Sequence, residues 1–404
     1  LVIQAYQLVK ANKGSHGIDQ QTLVDFEKNW RGNLYKLWNR MSSGTYFPKP
    51  VRRVGIPKKQ GGERVLGVPT IEDRIASTVV KLAFEPELEK VFHPNSYGYR
   101  PNRSALDAVS ITRVRCRTYN WVIEFDIQAM FDTISWDLLM KSVKHHTNDR
   151  WIILYSERLT KVPMQDETGA ITERTCGTAQ GAPLSPLLAN LFMHYAFDIW
   201  MSKYYPNNPF CRFADDGLIH CRSAEEAQRI LKHLEARFVE CGLKIHPGKT
   251  GIVYCKDGKR KEKHEHRSFD FLGYTFRPRL VLNTKNKSLF VSFTPAVSQK
   301  ALKAMRQEIR KSNIRNRSEL SLQQIAKIVN PVLRGWIQYY GRHHEEELEP
   351  MCRHFNMTLV AWARRKYKTL TRHKTRACQF IQNIKEQNPK LFEHWKIGVG
   401  GSFA

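Results

Sequence analysis

The sequence predicts an α+β fold in which strands and helices are mixed in the earlier part of the chain and helices make up the last part. Three observations carry this. Trp121-Val122-Ile123-Glu124-Phe125 is a buried-strand pattern that stops on Asp126. Pro209 to Cys221 reads P-F-C-R-F-A-D-D-G-L-I-H-C, two short apolar-biased arms flanking Asp215-Asp216-Gly217, the pattern of a β-hairpin with the acidic pair at its turn. From about Ser298 the composition shifts to helix: Leu302, Met305 and Ile309 form one apolar stripe, Leu322, Ile325, Ile328 and Val329 a second that continues through Leu333 and Trp336, and Phe355, Leu359 and Trp362 a third.

An Asp-Gly turn taken alone reads as solvated hairpin punctuation. The second acidic strand end changes that reading, because an apolar core does not take a carboxylate without a partner. If the two strands pair, Asp126, Asp215 and Asp216 converge at one sheet edge, where they cannot all stay ionised unless a cation neutralises them. Oxygen ligands around a hard ion suggest Mg²⁺, and a pair of such ions is the clamp used in phosphoryl transfer.

The remaining elements follow in order. Residues from about Leu1 to Tyr46 are expected to be helical, broken at Gly14, Gly17 and Gly44. Val51 to Val68 reads as a basic β-hairpin closed by Gln60-Gly61-Gly62, suited either to an ordinary solvated edge or to gripping phosphates. Ile71 to Val91 carries a helical period, and Ser96-Tyr97-Gly98-Tyr99-Arg100-Pro101-Asn102-Arg103-Ser104 is a loop whose tyrosines and arginines could stack on bases and hold phosphates. After the Asp126 strand, Ile127 to Phe131 is expected to turn and fold the Phe131 ring back over the acidic site, followed by a helix to about Lys144. Ser185 and Pro186 read as N-cap and first helical residue of a helix running to Ile199, with Gln180 held at its entrance and the glycines before it letting the backbone approach a ligand closely. Ala224 to Val239 is an amphipathic helix, Lys256 to Arg267 a solvated loop, and Ser268 to Phe276 a strand or tight hairpin.

Composition bounds the function. A chain of 404 residues with 41% hydrophobic content can bury two or three domains. The excess of 65 Lys and Arg over 38 Asp and Glu, net +27, is spread along the chain and suits a polyanionic partner. No apolar run is long enough to span a bilayer and no stretch has a secretory layout, so no membrane role is expected. Eight cysteines without C-x-x-C spacing argue against a zinc site or disulfide scaffold and make the reduced cytoplasm the default compartment. The chain opens on Leu1 rather than Met, inside a helical pattern, and further residues are expected to precede it.

Several blocks then occur in one order: the basic hairpin, S-Y-G-Y-R-P-N-R-S, D-x-x-x-x-F, Q-G-x-x-x-S-P, F-A-D-D, G-L-K-I-H-P-G-K-T, F-L-G-Y, and a helical tail with G-W-I-Q-Y-Y-G and W-A-R-R-K-Y-K. Together they resemble the reverse transcriptase and maturase proteins encoded by bacterial group II introns. The resemblance implies a right-hand polymerase: an N-terminal segment and fingers over 1–110, a palm over 111–290 with part of the fingers interleaved, and an α-helical thumb and maturase domain over 291–404. It implies two Mg²⁺ ions held by Asp126, Asp215, Asp216 and the carbonyl of Ile127, with Lys249 as a cation, and proton donor, near the leaving pyrophosphate. Lys58 and Arg64 would hold the incoming triphosphate, Phe131 would gate the sugar, Gln180 would contact the nucleotide, and Phe271 to Tyr274 would grip the primer. Arg100, Arg103, Arg334, Trp336, Arg364, Arg365 and Lys366 are the candidate nucleic-acid contacts.

The partners so implied are an RNA template, intron RNA, a DNA primer or target, and deoxynucleoside triphosphates, in the bacterial cytoplasm, with a homodimer among the allowed assemblies. Phe213, Gln128, Trp136, Ala179, Ala182-Pro183-Leu184 and His246 depart from the family pattern, and none is a proposed ligand side chain. No zinc-binding or H-N-H endonuclease pattern follows the tail, so cleavage of a second DNA strand is not expected of this chain. The departures leave open an intron-independent reverse transcriptase in phage defence or repair. A splicing cofactor that binds RNA without polymerising is the reading from another class.

Overall fold

The computed structural model describes residues 1–57, 63–260, 262–283 and 287–398. The chain divides into two units, Leu1–Ala108 with Trp121–Ile252, and Val109–Asn120 with the chain from Val253 onward. One boundary between these units falls at 252/253, ahead of the F-L-G-Y block. No described helix is long and apolar enough to cross a membrane.

The first unit begins with helices Val2–Asn12, Leu23–Glu27 and Trp30–Ser42, which bury Ala5, Tyr6, Val9, Phe26, Leu34, Leu37 and Met41. The basic hairpin is present as strands Val51–Pro57 and Glu63–Val68, antiparallel with Ile56 opposite Arg64 and Arg53 opposite Gly67. Helix Ile71–Glu89 starts where the sequence places it, because the Thr70 side chain accepts from the Asp73 amide at 3.1 Å. The stretch after Asp126 is not one helix but two, Met130–Thr133 and Trp136–His146. The chain turns at Ile134, and Ser135 caps the second helix through the Leu138 amide.

Three antiparallel strands of a four-stranded sheet organise the unit. Phe210–Phe213 pairs with Asp216–Cys221, which in turn pairs with Trp121–Asp126. Helix Ala224–Glu240 covers it, inserting Ala227, Ile230, Leu234 and Phe238. Phe125 meets Phe197 at 5.0 Å and Phe238 at 5.7 Å between ring centroids, within the range of favourable aromatic contacts. Helix Ser185–Met193 is capped at Leu184 rather than at Ser185, whose side chain is buried. The helix then widens into one π turn, His194–Asp198, before resuming as Ile199–Tyr204. Arg237 donates to the carbonyls of Tyr195 and Ala196 within that turn, at 3.1 and 3.2 Å.

In the second unit, strands Phe269–Phe271, Tyr274–Leu282 and Leu289–Val297 form a meander. Leu272 and Gly273 make its first turn in left-handed conformations, at φ 50° and 81°. Helices Gln299–Lys311, Leu322–Tyr340, Glu349–Lys366 and Lys374–Gln387 follow. The three predicted stripes line their core, with one correction: Ile328 is 47% exposed, because it lies off the Leu322, Ile325, Val329 and Leu333 face. Tyr339 donates to the Leu272 carbonyl at 2.8 Å and Tyr274 to the Tyr339 carbonyl, so the F-L-G-Y turn is tied to the end of its own helix.

Candidate active site

The register of the ladder makes Asp126 and Asp216 cross-strand partners, and Asp215 sits in the turn one residue away. That turn is opened by Ala214, in the left-handed region at φ 57°. Burial, reinforced by Asp215 and Asp126, pushes the Asp216 carboxyl up to about 7. Burial and Asp126 also raise that of Asp215, against the opposing charges of Lys249 and Arg64. Lys249 Nζ lies 2.8 Å from Asp126 Oδ2, and this hydrogen bond raises the pKa of the ammonium. Lys249 ends the short turn Pro247–Lys249, which is registered on the acidic strand by two backbone hydrogen bonds. These are His246 N to Asp126 O and Gln128 N to Lys244 O, both at 2.8 Å, and together they make the Ile127–Ile245 bridge.

Among the described residues no three metal-ligating side chains already close around one point. The donor set nevertheless fits hard dications. Three carboxylates share one strand edge, burial and then mutual repulsion raise the carboxyls of Asp215 and Asp216, and a half-exposed lysine lies against Asp126.

What positions the acidic turn is Arg212, a residue the sequence reading passed over. It is fully buried, and all five of its N–H groups are spent. Nε and Nη2 donate to the two oxygens of Asp198 at 2.8 and 2.7 Å, Nη2 also to Ser96 Oγ at 2.9 Å, and Nη1 to Asn190 Oδ1 and the Ala214 carbonyl, both at 3.1 Å. Although burial alone would raise it, the Arg212 charge brings the Asp198 carboxyl below its ordinary pKa. The S-Y-G-Y loop is tied in by Tyr97 N to Arg212 O at 2.9 Å and by Asn190 Nδ2 to Gly98 O at 2.7 Å. A Cβ on Gly98 would stand 2.5 Å from the Ala214 nitrogen. An arginine inside C-R-F and an aspartate inside F-D-I-W, each alone in an apolar run, were the available signal.

The candidate nucleotide residues also converge. Arg64 Nε donates to Gln180 Oε1 at 2.8 Å, and Gln180 Nε2 donates to Asp132 Oδ1 and Oδ2 at 3.2 and 3.1 Å. Asp132, the residue after Phe131, was not foreseen. Phe131 meets Tyr99 edge-on at 6.5 Å, and its carbonyl accepts from Thr178 N at 2.6 Å. Trp136, one of the departures from the family pattern, donates from Nε1 to the Gly177 carbonyl at 2.6 Å and so helps seat the segment that carries Gln180. Lys58 lies outside the described residues.

Among the candidate nucleic-acid contacts, Arg100 needs correction. Arg100 is buried and offers nothing to a ligand. It forks onto Glu89 and donates to the His93 and Ser96 carbonyls, fastening its own loop. Arg103 is exposed, over the Tyr97 ring. Arg334 pairs with Glu393 at 2.6 Å and Trp336 packs against the helical core. Arg364 donates to the Thr371 carbonyl, Arg365 to that of Ala361, and Lys366 to those of Ser318 and Leu320, so these three are engaged at the end of their helix, with Arg365 the most exposed.

Three carboxylates at the edge of an antiparallel ladder, a basic hairpin and a glutamine turn beside them, and a helical C-terminal region define an α+β polymerase. Residues 56–276 match the family described as reverse transcriptase (RNA-dependent DNA polymerase), and residues 302–379 match the group II intron maturase-specific domain. The chain belongs to the reverse transcriptase family and is an RNA-directed DNA polymerase of the group II intron maturase type. Protein YkfC of Escherichia coli is 29% identical over 295 residues, covering 63% of this chain and 77% of that protein. Group II intron-encoded protein LtrA of Lactococcus lactis is 33% identical over 193 residues, covering 47% of this chain and 32% of LtrA. The putative COX1/OXI3 intron 1 protein of Saccharomyces cerevisiae is 32% identical over 206 residues, 50% of this chain and 24% of that protein. The matched stretch thus spans less than a third of each of these two intron-encoded relatives.

Proposed function

We propose that this chain extends a primer with deoxynucleoside triphosphates on an RNA template, and that its helical region binds group II intron RNA to assist splicing and retrohoming. The observation supporting catalysis is the cross-strand pairing of Asp126 with Asp216 beside Asp215, a cluster of oxygen donors suited to hard cations. Asp126, Asp215, Asp216 and the Ile127 carbonyl would hold two Mg²⁺ ions, which when bound neutralise phosphate charge and lower the pKa of a primer hydroxyl. Arg64, with Lys58, neutralises triphosphate oxygens. Gln180 and Phe131 bound the sugar and base, and Lys249 Nζ carries a proton to the departing pyrophosphate. Such a site works by charge stabilisation and positioning rather than by a nucleophilic side chain.

Primer extension on RNA in Mg²⁺ tests this. Asp215→Ala and Asp126→Ala are expected to lower incorporation by about a thousand-fold or more, since ion-borne charge stabilisation is worth several kcal/mol. Retained incorporation in either variant overturns the assignment. Intron RNA binding and splicing assistance with no incorporation by the unaltered chain would leave an RNA-binding cofactor instead.

A further inference from the structure

We propose that Asp132 is a positioning residue of the nucleotide pocket, fixing which way the Gln180 amide faces and, through it, where Arg64 points. The inference rests on the polymerase reading of this site. A carboxylate is an acceptor only, so with Gln180 Nε2 on both Asp132 oxygens, the amide oxygen is turned to Arg64 Nε. Without Asp132 the amide, nearly symmetrical in shape, can rotate half a turn. It then presents N–H groups to a guanidinium that only donates, and Arg64 loses its hold.

The backbones on both sides are already fixed, which leaves this side-chain orientation as the freedom to be set. Gly67 N donates to the Gln180 carbonyl at 2.9 Å, Thr178 N to Phe131 O at 2.6 Å, and Gly177 N to Ile134 O at 2.7 Å. Asp132 N donates to Ala129 O at 2.8 Å within the short helix. Among the described residues the two terminal nitrogens of Arg64 have no hydrogen-bond partner, so they are free for phosphate oxygens while Nε is occupied by Gln180. Arg64 and Asp132 are exposed and Gln180 is half-buried, so in water the relay contributes little to stability. A bound nucleotide excludes that water and strengthens it. The effect therefore belongs to nucleotide binding.

Steady-state kinetics on a primed RNA template, in the full chain, test this. Asp132→Leu is expected to raise KM for the deoxynucleotide about ten-fold, with kcat within about two-fold and Tm and KM for primer–template unchanged. Asp132→Asn, whose carboxamide oxygen still accepts, falls between. The Kd for a matched deoxynucleotide on a complex whose primer ends in a dideoxynucleotide rises in parallel. In a Gln180→Leu background, Asp132→Leu adds nothing, because the relay is already cut. An unchanged KM, a matching loss of kcat or Tm, or a full additional loss in the Gln180→Leu background overturns the role of Asp132 alone. A wild-type chain that incorporates no nucleotide overturns the polymerase reading and this relay with it.

Discussion

Gly217 follows the acidic pair, and from the sequence it reads as the glycine of a turn. In the folded chain it is the second residue of strand Asp216–Cys221, opposite Phe125, and the left-handed position belongs to Ala214. The reason for glycine is the neighbouring ring: a Cβ there would stand 2.1 Å from Phe125 Cζ. Gly217→Ala is therefore expected to displace the Phe125 ring from between Phe197 and Phe238 and to destabilise the chain by about 1–3 kcal/mol, seen as a lower Tm. An unchanged Tm would show that the ring has room to move. The three aspartates were legible because carboxylates at strand ends are chemically conspicuous. The purpose of the glycine beside them was not, since the ring over it comes from a strand almost a hundred positions earlier in the sequence.

The acidic turn, the S-Y-G-Y loop and the helix after Q-G-x-x-x-S-P are separate blocks in the sequence, and Arg212 makes one body of them. The single π turn at His194–Asp198 alters the helix phase just where Asp198 meets Arg212. Asp198→Asn or Arg212→Met should each cost about 3–5 kcal/mol, because either leaves a buried charge or fork without its partner. The double variant Arg212→Met, Asp198→Leu is expected to regain much of the lost Tm and little of the lost primer extension. Apolar side chains can fill the space, but Ser96, Asn190 and the Ala214 carbonyl still lose their common donor. Recovery of both would show that the network serves stability alone. The same network explains the one clear failure among the cations singled out from the sequence: Arg100 sits in a loop so closely fastened to this body that its guanidinium is consumed internally. A sequence displays the charge of an arginine but not how much of it the fold has already used.

Across the whole chain, the elements with strong periodicity or turn chemistry were readable, including the basic hairpin, the acidic ladder, the helix over Ala224–Glu240 and the helical stripes. What was not readable depended on contacts between distant segments: the break at Ile134, the cap at Leu184, and the placing of residues 109–120 with the later unit. Stability of that later unit should be acid-sensitive. Burial, with Lys385 nearby, holds His394 down to about 3, and its Nε2–H donates to Asn356 Oδ1 at 2.7 Å, so the ring is neutral when folded. The folded pKa lies below the unfolded value of about 6.5, so the unfolded chain takes up the proton first. The stabilisation is complete above about pH 6.5 and declines as pH falls toward 3, by up to about 1.4 kcal/mol per pH unit. Melting curves between pH 7.5 and 5 should show this slope, and His394→Phe should flatten it. For anyone re-engineering substrate choice, one anchorage sets the rules. Gly67 ties the basic hairpin to the carbonyl of Gln180, and its missing side chain leaves room for Val51 and Ala179. Two devices that handle the same incoming molecule thus hang from a single peg. Libraries diversified at 53, 54 or 56 vary the grip while keeping the peg, whereas any branched residue at 67 unhooks both at once.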